Sequence, residues 1–190
     1  MLQVIERGLK ILEVLFFFDV ARIASFHKPE VLFLENVKGF LNHDKGKTFQ
    51  IVKQTLEDLG YKVFYKVLNS KDFGIPQNRE RIYIVAFLNQ NIDFAFPSSK
   101  DLNKSIKSCL LKDVDNKYYY NDKPLFERIK DDITCEDTVY QWRRQYVRAN
   151  KSNVCPTLTA NMGTGGHNVP IIKDDKGIRK LTPREWLNFD

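Results

Sequence analysis

Cysteine is scarce in this chain, and the three present, Cys109, Cys135 and Cys155, are widely spaced and odd in number. That pattern fits neither a disulfide framework nor a zinc site, and a reducing, cytoplasmic setting is the expected one. Histidine is equally sparse: His27, His43 and His167 have no partners at metal-ligand spacing, so no metal is expected and surface or capping roles suffice. Long apolar runs are missing too. The greasiest stretch, Val14 to Ile23, is interrupted by Asp19 and Arg22, far short of the roughly 18 apolar residues of a membrane span. The start has no small-residue cleavage site, so no signal peptide is read.

What is present is the composition of a soluble globular protein. At 43% hydrophobic and 28% charged residues, the chain has too much apolar content for intrinsic disorder. Its 190 residues suit one ordinary domain, or a larger domain with a small one, and exclude a peptide or a solenoid array. A net charge of +6 permits a polyanionic partner without demanding one. Placement says more than the total. Asp131, Asp132, Glu136 and Asp137 give way to Arg143, Arg144, Arg148 and Lys151, with no acid between 138 and 151. That run suits phosphate or base-edge contact with DNA, and equally a solvated face.

The first part of the chain alternates strand and helix signals. Val31-Leu32-Phe33-Leu34 reads as a strand buried on both faces, ending at Glu35-Asn36. Thr48 to Leu59 puts Phe49, Val52, Leu56 and Leu59 at helical spacing before a Gly60 stop. Tyr61 to Leu68 reads as a strand, Asp72 to Pro76 as a turn and Arg81 to Phe87 as another strand. Such alternation is α/β logic, part of a wound sheet. After Asn89 the chain becomes polar and mixed, and residues 153–170 are rich in Gly, Thr and Asn, as loops and short strands are. A domain change is therefore placed near residue 89. Near the end, Thr182-Pro183-Arg184-Glu185 opens a helix with Thr182 as N-cap, Pro183 at N1 and Glu185 closing a capping box.

Three segments carry chemistry together. Glu35-Asn36-Val37 lies at the carboxyl end of a strand, where wound sheets place functional groups. Gln77-Asn78-Arg79-Glu80-Arg81 enters a strand, which would turn Gln77, Arg79 and Arg81 to one face. Leu181 to Glu185 opens the last helix. Singly, each is weak: a strand-end Glu-Asn is commonly a plain cap, and Arg-x-Arg on an edge is commonly solvated.

As an ordered set, "PEVLFLENVKGF" (29–40), "DFGIPQNRERIYIVAF" (72–87), "NVCPTLTANMGTGGHNVPII" (153–172) and the block from Arg179 to Glu185 resemble the bacterial DNA (cytosine-5)-methyltransferases of restriction-modification systems. The likeness runs over roughly residues 16–190. It implies the carboxy-terminal part of a Rossmann-like, S-adenosylmethionine-dependent methyltransferase sheet plus a small, mostly β or irregular target-recognition domain. The implied boundaries are 1–88 for the partial catalytic domain, 89–175 for target recognition and 176–190 for the start of a return segment.

In such enzymes a cytosine is flipped out of double-stranded DNA. A cysteine thiolate attacks C6, a glutamic acid meets the charge developing at N3, and C5 takes a methyl group from S-adenosylmethionine. Glu35 matches the family's glutamate. Arg79 and Arg81 match its base-orienting arginines, with Asn36 and Gln77 in support. Arg143, Arg144, Arg148 and Lys151, with Thr164, Gly165 and Gly166 bringing backbone close, are the DNA-binding candidates; a plain glycine-rich turn would look the same. Tyr118 to Tyr120 suit base stacking or a half-buried loop, and Trp142 a core position.

The family's glycine-bearing cofactor strand, its Pro-Cys nucleophile loop and its terminal Gly-Asn-Ser-Val block have no counterpart here. Cys155-Pro156 has the reverse order and falls in the recognition segment. The resemblance therefore assigns no cofactor-binding residue and no nucleophile, and the chain by itself is expected to be inactive. Residues 1–15 depart from the family pattern. Back-translated and read one frame over, they permit Gly-Phe-Glu-Asp-Thr-Arg-Gly-Thr, family-like text ahead of "FFDVARI". A frame change near Phe16-Phe17-Phe18 is the expectation, with an amino-terminal polypeptide as a complementing partner; the alternative is a DNA-binding module without catalysis.

Overall fold

A computed structural model describes residues 12–100, 106–150, 154–158 and 169–188. The chain forms two compact units, residues 1–68 with 80–98, and residues 69–79 with 99–190.

The first unit begins with helix α1 (Leu12–His27), followed by strand β1 (Val31–Val37), 3-10 turns over Lys38–Gly46 and helix α2 (Lys47–Asp58). Strand β2 (Lys62–Asn69) follows; then the two-residue strand β3 (Gln77–Asn78), which belongs to the second unit, precedes β4 (Glu80–Phe87). The sheet order is β1-β4-β2, with β1 antiparallel to β4 and Leu34 opposite Ile84. Helix α2 forms where the apolar spacing predicts. Phe49, Val52 and Leu56 are buried and pack with Ala24 of α1 on Ile82, Ile84 and Ala86 of β4. The helix stops at Gly60, whose φ of 92° lets its N–H return to the Glu57 carbonyl at 2.9 Å while Tyr61 N–H reaches Leu56 O.

One expectation is corrected. β1 is not buried on both faces: Val31, Phe33 and Val37 are 47%, 66% and 48% exposed. Leu32 and Leu34 pack against the helical core, while the odd-numbered residues face away from it, as alternation requires. A four-residue apolar run cannot reveal whether its second face is covered. On that outer face the chain segment after β4 covers part of the sheet: Phe94 lies 5.5 Å from Phe64 and 5.4 Å from Phe87 between ring centroids.

The second unit holds an antiparallel sheet ordered β6-β5-β8-β9. Its core helix and strands are α3 (Phe126–Ile129), β5 (Val139–Trp142), β6 (Val147–Asn150), β8 (Pro170–Asp174) and β9 (Gly177–Lys180), and β7 (Cys155–Pro156) runs parallel to β3 apart from that sheet. Adjacent residues serve opposite faces. Val139, Ile172 and Leu181 join one core with Cys155; Tyr140, Ile171 and Ile178 join the other with Ile129 and Ile133. Trp142 packs at the edge of the second core, and Tyr119 is buried. Helix α4 (Pro183–Leu187) has the expected capping box, with Thr182 as N-cap and Glu185 as its partner.

The β8–β9 turn closes at Gly177, with φ 140°. Asn121 occupies the space a Cβ would need: its Nδ2 donates to Lys176 O at 2.9 Å and its Oδ1 accepts from Ile178 N–H at 3.2 Å. Gly177→Ala is therefore expected to lower stability by about 1–3 kcal/mol. Gly39→Ala, where nothing lies within 4 Å, serves as the control in thermal unfolding. Equal losses for the two would contradict the packing described.

Candidate functional site

The register of β1 on β4 brings the first candidates together. Glu35 is opposite Tyr83, and Arg81 is opposite Val37. Directly paired residues share a face, so Glu35 and Arg81 are diagonal neighbours on the outer face. Their side chains meet: Arg81 Nε lies 2.8 Å from Glu35 Oε1, with Arg81 15% and Glu35 40% exposed. Arg81 Nη1 also donates to Glu80 O at 2.9 Å, while Lys38 Nζ holds Glu80 Oε1 at 2.7 Å. The guanidinium is thus fixed by the protein, and 40% of the Glu35 side chain is exposed. Asn36 turns its Oδ1 back to accept the Val37 N–H at 2.8 Å. Beside Glu35 and Asn36 is a cavity of about 140 Å³, walled by Phe16, Phe17, Leu34 and Phe40.

Gln77 and Arg79 belong to the second unit, and the expectation that Gln77, Arg79 and Arg81 alternate on one strand is corrected. β3 ends at Asn78 and β4 begins at Glu80, in different sheets, with Arg79 between them. The cause is Asn69: its Oδ1 accepts the Arg79 N–H at 3.0 Å and its Nδ2 donates to Asn78 Oδ1 at 2.7 Å. These bonds, with Ser70 N–H to Arg79 O at 3.1 Å, draw the backbone into a local loop and break the alternation. Gln77 is buried at 1% exposure and opposite Cys155 in the β3–β7 pair. Burial pushes the Cys155 thiol well above its ordinary value, which opposes thiolate formation. A nucleophilic role for this cysteine is disfavoured accordingly.

The arginine run folds as a hairpin. Trp142 pairs with Val147, Arg143 N–H donates to Tyr146 O at 2.9 Å, and Arg144 takes the left-handed conformation at φ 69°. Arg144, Gln145, Tyr146 and Arg148 are exposed, and Arg143 is half-buried. Lys151, Thr164, Gly165 and Gly166 lie outside the described residues.

Sequence reasoning missed a buried network at the foot of α4. Arg179, fully buried, donates from Nη1 to Glu185 Oε2 at 2.9 Å and from Nη2 to Oε1 at 2.8 Å. Its Nε reaches Asp174 Oδ2 at 2.5 Å, and Tyr119 Oη donates to the same oxygen at 2.9 Å. Glu185 also accepts the N–H groups of Leu111 and Thr182. The signal available in sequence was a charged residue inside the strand-like Ile178 to Leu181, six positions before the capping glutamate.

Comparison with known proteins identifies the family. The family model for C-5 cytosine-specific DNA methylases matches residues 7–190. Type II methyltransferase M.Bsp6I of Bacillus sp. (strain RFL6) is 53% identical over 180 residues, covering 91% of this chain and 57% of that protein. Type II methyltransferase M.HhaI of Haemophilus parahaemolyticus is 38% identical, with 89% and 54% covered. Among solved structures, the S. pombe Dnmt2 methyltransferase shares the fold at a TM-score of 0.68 and 18% identity, covering 91% of this chain and 57% of that one. The chain thus spans somewhat over half the length of these relatives, with a mixed α/β sheet consistent with part of a methyltransferase fold. It belongs to the C-5 cytosine-specific DNA methylase family.

Proposed function

We propose that these residues supply the base-recognising acid and the target-recognition region of a DNA (cytosine-5)-methyltransferase of the restriction-modification type. The observation that carries the reading is the Glu35–Arg81 pair, fixed at the carboxyl end of β1 in a chain of this family. Glu35 would donate to, or protonate, N3 of a flipped cytosine, lowering the charge that builds on the ring when C6 is attacked. Arg81, already oriented by Glu80 O, would hold that carboxyl and the base. Arg79, Gln77 and Asn36 are supporting positions in the same reading. The complete enzyme would move a methyl group from S-adenosylmethionine to C5, acting in the cytoplasm.

The cavity beside Glu35 does not fit that cofactor. At about 140 Å³ with mainly apolar walls, it is well below the roughly 300–1,000 Å³ of pockets that enclose such ligands. No matching Pro-Cys loop is present in the sequence either. The nucleophile, and the cofactor strand for which the family resemblance finds no counterpart here, are accordingly assigned to a segment outside these residues. The chain alone should give no transfer of labelled methyl to DNA, and co-expression with the missing portion of a relative should restore it; transfer by the chain alone would overturn the reading.

The exposed hairpin supports a second reading, a DNA-binding module or complementing subunit, with residues 89–175 as the recognition region. Arg143, Arg144, Arg148 and Lys151 would meet phosphates or base edges, with Thr164, Gly165 and Gly166 close to the duplex. Arg144→Ala with Arg148→Ala should weaken binding to double-stranded DNA and reduce the dependence of log K on log salt by about 1–2, one for each phosphate no longer neutralised. Fluorescence anisotropy across a salt series measures this; an unchanged slope means that these arginines do not neutralise phosphates.

A further inference from the structure

Resting on the second reading above, that the recognition region binds DNA, we propose that it carries a second phosphate-contacting surface. Lys117, Lys123 and Lys180 form it, gathered around Tyr118 at the sheet edge opposite the arginine hairpin. Pairing builds that edge. Tyr119 bridges Arg179 in antiparallel register, and Tyr120 N–H donates to Ile178 O at 2.8 Å, so this segment lies outside β9 as a further strand would. The register sets Tyr118 opposite Lys180 on one face. Alternation separates both from their neighbours: Tyr119 and Arg179 are buried, whereas Tyr118 and Lys180 are half-buried and Lys117 and Lys123 exposed.

Rings and a carbonyl, more than acids, hold these ammonium groups. Lys117 Nζ and Lys180 Nζ lie over the Tyr118 ring, 5.3 and 5.8 Å from its centroid. Lys123 Nζ lies 5.3 Å from the Tyr120 centroid and donates to Lys117 O at 2.7 Å. Among the described residues, Lys117 alone of the three meets a carboxylate, Asp115 at 3.2 Å. A lysine paired with an acid has its field cancelled; one resting on a ring keeps its charge for an outside anion. With two ammonium groups over it, Tyr118 is no free platform for a base, so the ligand is the phosphodiester backbone. Placement favours duplex DNA over a small anion. The sheet order is β6-β5-β8-β9, and the Tyr118 segment outside β9 is therefore about four strand spacings, roughly 19 Å, from β6. About six successive phosphates of one DNA strand cover that span.

Binding of this chain to a fluorescent duplex longer than that span, followed by anisotropy across a salt series, tests the proposal. Lys123→Ala with Lys180→Ala should reduce the dependence of log K on log salt by about 2, as two lost phosphate contacts do. Lys53→Ala with Lys130→Ala removes the same charge from lysines already held by Glu57 and Glu127 at 2.7 and 2.6 Å, and should leave the slope unchanged. Tyr118→Leu should weaken binding about two- to fivefold with the slope kept, because the charges remain but lose their seat. Tyr118→Phe, which keeps the ring, should bind like the native chain. An unchanged slope in the Lys123 and Lys180 double variant, or an equal loss in the Lys53 and Lys130 control, overturns the proposal. If the Arg144 and Arg148 variant lowers the slope in that same series, the DNA-binding reading survives; a chain that binds no duplex at all overturns both. Tighter binding of poly-glutamate, lost in the Lys123 and Lys180 variant, also overturns the proposal, because the surface would then face an acidic protein.

Discussion

Glu185→Ala should destabilise the second unit by about 3–5 kcal/mol, the cost of removing one partner of a buried ion pair, since Asp174 then remains to Arg179 through Nε alone. Domains of ordinary size are stable by only about 5–15 kcal/mol, so the variant should unfold at a much lower denaturant concentration. The size follows from the surroundings. Arg179 and Glu185 are both at 0% exposure, so water cannot replace either partner. Removing the glutamate also strips acceptors from the N–H groups of Thr182 and Leu111. Replacing both, as in Arg179→Met with Glu185→Leu, should recover part of the loss because no fully buried charge is then left; Asp174, which loses Arg179, is 25% exposed and can be solvated. Urea unfolding of the three proteins checks this, and a single mutant as stable as the native chain would contradict it.

The same network sets a pH dependence. Burial opposes ionisation of Glu185, but the Arg179 guanidinium and the two N–H donors outweigh it and hold the carboxyl below its ordinary value. The folded state therefore binds this proton less readily than the unfolded state. Its contribution is full above the ordinary carboxylate range and is lost as pH falls through the lower folded value. Tyr119 acts at the other end. Burial, then its bond to Asp174, push its hydroxyl up to about 12, so its contribution is full below 10 and fades as pH rises through about 12.

Glu35→Gln should lower methyl transfer by the reconstituted enzyme about 10²–10⁴-fold, the range for loss of a positioned general acid. The amide keeps the shape and can still accept from Arg81, so folding and DNA binding should change little. Since the side chain lies at an exposed strand end, with 40% of its surface open, the variant isolates chemistry from stability. A fall in DNA affinity equal to the fall in rate would reassign Glu35 to binding.

The helix α2, the strands around it and the capped start of α4 were legible from apolar spacing, glycine placement and the Thr-Pro-Arg-Glu string. These are local signals, and local bonding decides them. The outer face of β1 was not legible, because Val31 to Leu34 reads the same whether its second face is covered or bare. Nor was the break at Arg79, which Asn69 imposes from ten positions away. Glu35 and Arg81 could be nominated from sequence but not joined. Their contact depends on the register that pairs Val37 with Arg81, and register is a tertiary property. The Arg179–Glu185 pair lay hidden for a related reason. A charged residue in a short strand usually points to solvent, and only the packing of α4 closes over this one.

The central claim is that this chain holds the acid of a cytosine methyltransferase while the nucleophile lies elsewhere. It is tested most directly by transfer of labelled methyl from S-adenosylmethionine to cytosine C5 in DNA. The chain alone, the chain co-expressed with the portion of the Bacillus relative that it does not match, and the same pair carrying Glu35→Gln should be compared. The account predicts no transfer, transfer, and transfer reduced at least about 10²-fold, in that order. Transfer by the chain alone, or undiminished transfer by the Glu35→Gln pair, would contradict it.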